Sequence, residues 1–452
     1  MFSPFGFECF DPTVIEEDTV SLALQISPGR IRQPSDKLVH AILLCYSSRY
    51  LVFIRKPRIK IDYIFLSKVT AMIPKRVDEL TTFIVMDVLE EAQRMERAGI
   101  DVVHLEVGEP DFNVPECVSA AVCRAVKDGH THYTHSLGMI ELREAIAEYY
   151  GKCYGVSVHP EQVVVTSGTS PAMLNMFSVL LDKGSEVIIS DPHYACYPNF
   201  IKFLEGVVVT VPVYEEDGFQ YRPEAIREKI TDTTRAILIN SPSNPAGTVL
   251  SADRMQAISG LGPWIISDEI YHGLNYEGAE HTILEFTDHA FVLNGFSKLF
   301  AMTGLRLGYL IAPKEFVPAL QKLQQNFFLA PNSVSQLAGI AALKEAGDDV
   351  ARMRKTYDER RRFMIDRLRE IGFGIPVEPT GAFYVFANAK HLSADSYQLA
   401  FDILAKAHVG VTPGIDFGRN GEGYLRFSYA NSLENIREGL NRLENFVLSR
   451  RD

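Results

Sequence analysis

The sequence predicts an α/β protein built on a mainly parallel sheet. Short runs of Val and Ile recur along the chain between segments of helical periodicity, and the runs do not alternate regularly with polar residues. Strands of this kind are buried on both faces, which is typical of a parallel sheet covered by helices. The chain has 452 residues, 46% of them hydrophobic, which is enough for two domains with cores of their own.

The elements follow one another in a regular order. Residues 1–71 show weak periodicity and stay unassigned: they are either a real appendage or an over-long start, with Met72 as the true first residue. A first helix is predicted from Phe83, with an apolar face that ends before Gly99. The apolar face of this helix consists of Val85, Val88, Leu89, Ala92 and Met95. The predicted strands cover residues 162–166, 186–190, 235–239, 264–267 and 291–294. A long helix is predicted over 349–371, followed by short strands and helices.

Five polar residues follow apolar runs and together match the needs of one cofactor, pyridoxal phosphate (PLP). Lys298 offers an amine that can condense with the PLP aldehyde. Asp268 can keep the pyridine nitrogen protonated, which makes the ring an electron sink. Asn244 and Tyr271 can hydrogen-bond the ring oxygen, and Arg306 can pair with the phosphate.

Each of these residues also has an ordinary structural explanation. A lysine after an apolar strand is usually a solvated strand end, Asp-Glu often starts a helix, and Asn-Pro-Ala-Gly alone is a turn. Gly168, Thr169 and Ser170 open a helix and could be a plain N-cap, although the same backbone N–H groups also form an anion site. The joint order of these groups along one alternating chain favours the cofactor site.

This set of motifs resembles the class I/II aminotransferases of PLP fold type I, from about residue 83 to about residue 445. The resemblance implies a seven-stranded, mainly parallel sheet in an α/β/α large domain at 116–345. It also implies a smaller α+β domain made of 72–115 and 346–452. The segments that carry the resemblance are 108–112, 133–143, 166–170, 191–194, 244–247, 268–271, 294–309, 379–383 and 425–430.

The resemblance also implies roles for individual residues. Lys298, Asp268 and Tyr271 are expected to be catalytic, and Gly108, Asn244 and Arg426 to bind the substrate. Arg426 stands in an apolar strand, where an unpaired charge is costly, and it is expected to hold the substrate α-carboxylate. The expected cofactor-binding residues are Gly168, Thr169, Ser170, Tyr194, Asn244, Asp268, Tyr271, Lys298, Arg306 and Tyr133.

Two of these expectations need comment. Tyr133 is expected to reach the cofactor phosphate of a partner subunit, so the resemblance implies a homodimer with shared active sites. Gly295 stands where the family often has a serine on the phosphate, and whether Ser297 replaces it stays open.

The implied activity is a ping-pong exchange of the α-amino group between an amino acid and a 2-oxo acid, with Lys298 carrying the proton. β-Elimination or another chemistry of the same fold is the alternative. A transcription regulator with a DNA-binding head at 1–71 is a third reading. That segment holds nine Lys/Arg and seven Asp/Glu without a helix-turn-helix pattern.

The formal charge of −12 argues against general binding to nucleic acids or anionic membranes. The six cysteines form no Cys-x-x-Cys pair and are interpreted as reduced thiols, and the histidines show no metal-ligand spacing. The most apolar stretch, 38–54, is interrupted by polar residues and is too short to span a bilayer. No signal-peptide pattern is present, so a cytoplasmic location is expected.

The substrate side chain is expected to be neutral. The segments 83–85 and 327–331, which the resemblance places around the side-chain pocket, are apolar and offer no Arg or Lys. Arg143, Lys202 or a partner residue could still supply a cation. The sequence therefore favours a broad neutral amino acid aminotransferase with 2-oxoglutarate or pyruvate as acceptor.

Overall fold

The computed structural model describes residues 42–44, 51–53 and 74–450. The chain divides into two units, 1–73 and 74–452. The described part of the first unit is an antiparallel pair, β1 (Ile42–Leu44) and β2 (Leu51–Phe53). Most of the predicted extension lies outside the described residues, as do Met72, Cys9, Cys45 and much of the stretch 38–54.

The second unit is organised around a seven-stranded sheet. Its strands in chain order are β4 (Val163–Thr166), β5 (Glu186–Asp191), β6 (Val207–Pro212), β7 (Thr234–Asn240), β8 (Trp264–Asp268), β9 (Ala290–Gly295) and β10 (Gly308–Ile311). The spatial order is β4-β10-β9-β8-β7-β5-β6. The five strands β9, β8, β7, β5 and β6 each pair in parallel with their neighbours in this order. Strand β10 runs antiparallel to both β9 and β4. The predicted sheet is confirmed.

Both faces of this sheet are buried, as the unbroken apolar runs predict. Successive residues of a strand point to opposite faces. In β7, Ile237 and Ile239 pack into one hydrophobic cluster, while Ala236 and Leu238 pack into another. All four side chains are at most 2% exposed. A strand with two apolar faces needs a cover on each side, and the helices provide it.

The helices of the second unit flank its sheets. They are α1 (Lys75–Asp78), α2 (Ile84–Arg97), α3 (Glu116–Lys127), α4 (Ile140–Tyr154), α5 (Thr169–Leu180), α6 (Tyr197–Phe203), α7 (Pro223–Arg227), α8 (Ala252–Ser259), α9 (Val317–Phe327), α10 (Ser333–Glu345), α11 (Gly347–Ile371), α12 (Ser396–Ala407) and α13 (Leu433–Leu448). None of these helices is both long and apolar enough to cross a membrane.

Two smaller sheets lie outside the central one. Strands β11 (Tyr384–Asn388), β14 (Tyr424–Ser428) and β13 (Thr412–Pro413) form an antiparallel sheet in that order, and β3 (Val103–His104) pairs in parallel with β12 (Val409–Gly410). Strand β3 comes from the start of the unit and β12 from its end, in line with a smaller domain drawn from both. The boundaries near residues 115 and 345 stay a prediction.

Most predicted elements are confirmed, but two strands of the central sheet were not predicted. Strand β6 was missed because it lies at the sheet edge and several of its residues are exposed. Strand β10 was missed because it has only four residues. Lys298 lies three residues beyond the end of β9. The four described cysteines, Cys117, Cys123, Cys153 and Cys196, are free thiols as expected.

Candidate active site

A cavity of about 340 Å³ opens beside the carboxyl ends of the central strands. Asn240 and Asp268 are the last residues of β7 and β8, and both line it. Thr169, which begins α5 after β4, lines it too. This is where an open parallel sheet binds its ligands.

The Lys298 amine reaches this cavity and is held there by backbone. Its Nζ donates a hydrogen bond to the carbonyl oxygen of Gly108 at 2.6 Å. Burial of the amine lowers its pKa to about 8 from the ordinary 10.5. Arg426 and Arg306 favour the neutral form as well, whereas Glu109 and Asp268 favour the charged form. Lys298 therefore supplies an amine that is partly neutral near physiological pH.

The Asp268 carboxylate is almost fully buried, at 3% exposure. Its Oδ2 accepts a hydrogen bond from the Tyr197 hydroxyl at 2.7 Å, and its Oδ1 accepts one from the Ile270 N–H at 3.2 Å. Burial raises the pKa of the carboxyl to about 6, although the bond from Tyr197 opposes this. A cationic group beside Asp268 would hold it ionised, because opposite charges favour the charged form.

Asn244 and Tyr271 lie together, as the sequence predicts. The Asn244 amide lies 3.5 Å from the Tyr271 hydroxyl, which in turn lies 2.8 Å from the hydroxyl of Tyr384. All three residues line the cavity. They offer an amide donor and two phenols to an oxygen of a ligand.

The turn before α5 and Arg306 form a small cradle. Gly168 has a φ of 98° and lies directly against the Arg306 guanidinium: a Cβ on this glycine would lie 2.5 Å from an Arg306 nitrogen. Thr169 and Ser170 follow at the helix start and line the cavity with Arg306. Among the described residues, no carboxylate is within ion-pair distance of Arg306. Helix-start N–H groups, hydroxyls and an unpaired guanidinium are the donor set of a phosphate site.

Arg426 is a buried cation without a carboxylate partner in ion-pair distance among the described residues. It is 2% exposed and lies in β14. It donates to the Asn244 side-chain oxygen at 2.9 Å, to the Glu106 carbonyl oxygen and to the Thr412 hydroxyl, while its Nε has no hydrogen-bond partner within the described part of the chain. A buried guanidinium satisfied only by neutral groups leaves its charge uncompensated. The geometry suits an anionic ligand entering the cavity.

The remaining predicted residues divide into two groups. Gly108 and Tyr194 line the cavity, as does Ser297, whose role the sequence left open. Tyr133 does not line it: its side chain is 83% exposed and borders a separate groove with Met139.

Several lining residues were not predicted. Tyr197 donates to Asp268 and stands three residues after Tyr194, at the start of α6. Tyr384 follows Phe383 directly, at the end of a segment that the resemblance included. A Cβ on Gly108 would lie 2.0 Å from the Tyr384 hydroxyl, so only glycine fits there. In both cases, the sequence signal that could have found the residue was its position close to a segment already assigned to the site.

Of the two segments expected to line the pocket for the substrate side chain, one lines the cavity and the other does not. Phe83, Val85, Met86 and Leu89 line the cavity from the start of α2. The segment 327–331 does not, because the chain leaves α9 there and exposes Phe327 at 70%.

Neither of the cations considered for a distal carboxylate lines the cavity of this chain. Arg143 is buried and donates to the carbonyl oxygens of Pro160 and Val163, and Lys202 lies in α6.

Comparisons with known proteins identify the family of this chain. Residues 100–443 match the model of the family described as aminotransferase class I and II. The (5-formylfuran-3-yl)methyl phosphate transaminase of Methanocaldococcus jannaschii is 42% identical over 380 residues, which cover 83% of this chain and all of the relative.

Two solved structures are similar over the same region. A Methanococcus jannaschii protein, described as similar in its active site to kynurenine aminotransferases, has a TM-score of 0.78 at 41% identity, covering 83% of this chain and all of its own. Aspartate aminotransferase from Thermus thermophilus, solved with maleate, has a TM-score of 0.80 at 37% identity, covering 82% and 99%. This chain therefore belongs to the class I and II aminotransferases, PLP-dependent enzymes that transfer an amino group between an amino acid and a 2-oxo acid.

Proposed function

We propose that PLP binds in the described cavity and is linked covalently to Lys298. The observation that carries this proposal is the charge arrangement. Lys298, Arg306 and Arg426 line one cavity together with the carboxylates of Asp268 and Glu109, and no carboxylate is within ion-pair distance of any of the three cations among the described residues. The phosphate of PLP and the carboxylate of an amino acid are two anions with which Arg306 and Arg426 can pair. When bound, PLP supplies an aldehyde for the amine and a ring that stabilises negative charge at the substrate Cα.

The phosphate is assigned to the cradle formed by Gly168, Thr169, Ser170 and Arg306. The close approach of Gly168 to the guanidinium supports this, because a side chain there would displace the arginine. Whether Ser297 adds a hydrogen bond stays a prediction.

The ring is assigned to the part of the cavity around Asp268. The Asp268 carboxylate, fixed by Tyr197, would keep the ring nitrogen of bound PLP protonated. Asn244 and Tyr271 would supply hydrogen bonds to the ring oxygen, and Tyr194 would supply an aromatic surface for the ring.

Arg426 binds the substrate α-carboxylate. A bidentate contact satisfies a guanidinium better than neutral acceptors do, and the Nε without a partner is available for it. Once the substrate amine has replaced Lys298 on PLP, the freed Lys298 amine, with its pKa near 8, would take the proton from the substrate Cα and deliver it to C4′ of the cofactor, as general base and then acid.

The amino donor has a neutral, apolar side chain. The wall at the start of α2 supports this, since Phe83, Val85, Met86 and Leu89 bring no charge to the cavity. The relatives leave a second candidate: the Thermus thermophilus protein is named for aspartate. An aspartate donor would need a further cation from a partner subunit.

A donor screen tests the whole proposal. Purified protein should be yellow, and borohydride should fix the cofactor on the peptide that contains Lys298. Each amino acid is then added while the visible absorbance of bound PLP is followed. A colourless protein that takes up no PLP would contradict the proposal.

The same screen decides the substrate class. The comparison is kcat/KM for alanine, leucine, phenylalanine and aspartate with one acceptor. We expect leucine and phenylalanine to exceed aspartate. Aspartate ahead by more than about tenfold, or about 1.4 kcal/mol in transition-state binding, would show that a distal cation is present.

The active unit is a homodimer with shared sites. Tyr133 supports this, because its side chain is 83% exposed in one chain and borders a groove. The resemblance assigns it to the phosphate of the partner. A cytoplasmic location stays a prediction from the sequence.

A further inference from the structure

Helix α2 begins without a cap of its own. Phe83 stands at the capping position and its side chain accepts no hydrogen bond. The first N–H groups of a helix have no partner inside the helix and need one elsewhere. The Ile84 N–H donates to Asp416 Oδ1 at 3.0 Å, and the Val85 N–H donates to Oδ2 at 3.2 Å. A carboxylate 332 residues after Ile84 therefore caps this helix.

Asp416 is itself held in place. It lies in a 3-10 turn, Gly414–Phe417, and is 8% exposed. The turn is tied to α12 by a bond from the Ile415 N–H to the Ser396 hydroxyl at 3.1 Å. The charged groups facing the carboxylate are Arg426 from β14 and Asp87 from α2. A buried carboxylate has lost its water, so the two helix N–H groups are its main compensation.

The capped turn carries the wall of the active-site cavity. Phe83, Val85, Met86 and Leu89 all line it. The Phe83 ring meets the Tyr194 ring edge-on, with 5.9 Å between centroids. These contacts connect the cap to the part of the cavity assigned to the substrate side chain.

The chain just before the wall has a second polar tie. The Thr81 N–H and hydroxyl both donate to the Asn199 side-chain oxygen, at 3.2 and 3.1 Å. The Asn199 amide donates back to the Thr81 carbonyl at 3.1 Å. This tie fixes the approach to α2, whereas the Asp416 cap fixes its first turn.

We infer that Asp416 is a positioning residue for substrate side-chain recognition. It holds the first turn of α2 so that Phe83 and Met86 present one fixed apolar wall to the donor side chain. It does not touch the substrate. The inference rests on the proposed function, because it assigns this wall to the donor. Without the cap the first turn of α2 frays, and kcat/KM falls more for large apolar donors than for alanine.

Two variants and a matched control test this role. Asp416→Ala removes both acceptors, and Asp416→Asn keeps the shape but only one acceptor. The control is Ser251→Ala, since Ser251 caps α8 through the Arg254 N–H at 3.4 Å and does not line the cavity. Amide hydrogen exchange is measured on the full-length proteins. Exchange in the peptide covering 83–89 should rise about fivefold in Asp416→Ala, less in Asp416→Asn, and not in Ser251→Ala.

Kinetics then separate positioning from a general structural effect. In Asp416→Ala, kcat/KM should fall by about fivefold more for leucine and phenylalanine than for alanine, with PLP content and the absorbance of bound PLP unchanged. Asp416→Asn should recover part of this loss. Unchanged exchange at 83–89, or an equal loss for all three donors, would overturn the inference. A wild-type protein that binds no PLP would instead defeat the proposed function, while the exchange data still decide whether Asp416 holds α2.

Discussion

At the scale of single residues, burial acts on the two central groups in opposite directions. It lowers the pKa of the Lys298 amine to about 8 and raises that of the Asp268 carboxyl to about 6. Both shifts have one cause, because removing a charged group from water favours its neutral form. Lys298 gains a partly neutral amine near physiological pH, whereas Asp268 stays mostly ionised there, and a cationic partner would favour its charged form further.

The lysine pKa can be tested through PLP uptake by the protein freed of cofactor. Only the neutral amine reacts with the aldehyde. The uptake rate should therefore rise about tenfold per pH unit below the pKa of about 8 and level off above it. Stopped-flow absorbance measures this rate, and Lys298→Ala is the control without covalent uptake. A rate that climbs steadily towards pH 10 would indicate an ordinary lysine.

The charge of Asp268 can be tested by three substitutions. Asp268→Asn and Asp268→Ala should both retain some PLP but lose about 100-fold or more in kcat, because neither holds a proton on the ring nitrogen. Asp268→Glu restores the charge and should be more active than either. Near-normal turnover of the Asn variant would exclude the electrostatic role. Cofactor content measured beside kcat separates lost binding from lost chemistry.

At the scale of elements, one extended segment supplies backbone hydrogen-bond acceptors to two of the cations that line the cavity. After β3 the chain runs from His104 to Gly108, and the carbonyl oxygens of Glu106 and Gly108 accept from Arg426 and Lys298. The Glu106 carboxylate is fully buried and pairs with His104, with 2.6 Å between its Oε1 and the ring Nδ1. The pair of Glu106 with His104 anchors this segment and therefore helps to fix the positions of Arg426 and Lys298.

This pair predicts a pH-dependent stability. The bond to Glu106 raises the pKa of His104 to about 9 from the ordinary 6.5, and Glu96 adds to the effect. A raised pKa means that the stabilisation is complete below pH 6.5 and is lost as the pH rises through 9.

The test compares the wild type with His104→Gln by denaturant unfolding. At pH 6, the free energy of unfolding of the wild type should exceed that of His104→Gln by more than about 1.4 kcal/mol, the value of one pKa unit. This difference should shrink towards pH 9.5. Parallel stability curves over this range would contradict the coupling. The absorbance of bound PLP reports whether the cavity changes together with stability.

At the scale of the whole molecule, a single chain leaves apolar side chains exposed. Tyr133, Phe327 and Leu329 are 83%, 70% and 57% exposed. The resemblance connects Tyr133 to a partner's phosphate and 327–331 to a side-chain pocket that they do not reach in one chain. The proposed homodimer would account for both observations by burying these residues and bringing them to a neighbouring site.

The dimer can be tested by mass and by cofactor retention. Light scattering should give at least twice the chain mass. Tyr133→Phe should weaken PLP retention by about 1.5–3 kcal/mol, the range for a hydrogen bond to a charged group. Tyr214→Phe is the matched control, since Tyr214 is also exposed, at 47%, but lies outside the groove. A stable, active monomer would contradict the shared site.

The sequence by itself determined five of the seven central strands and the polar groups near their carboxyl ends. Unbroken Val and Ile runs predict β4, β5, β7, β8 and β9, because two-sided burial leaves a signal in local composition. Asp268 and Lys298 could be found for a related reason. A polar group at or just beyond the carboxyl end of a buried strand stands where ligands bind. Arg426 was recognisable as a charge inside an apolar strand.

Tertiary structure alone decided which distant groups meet. The cap of α2 by Asp416 joins residues 332 positions apart, and the pairing of Tyr271 with Tyr384 joins residues 113 apart. Such contacts leave no periodicity, because they depend on how the elements pack rather than on the period of any one of them. The sequence could not predict that Phe327 is exposed, for the same reason. An apolar segment has the same composition whether it lines its own cavity or lies on the surface of the chain.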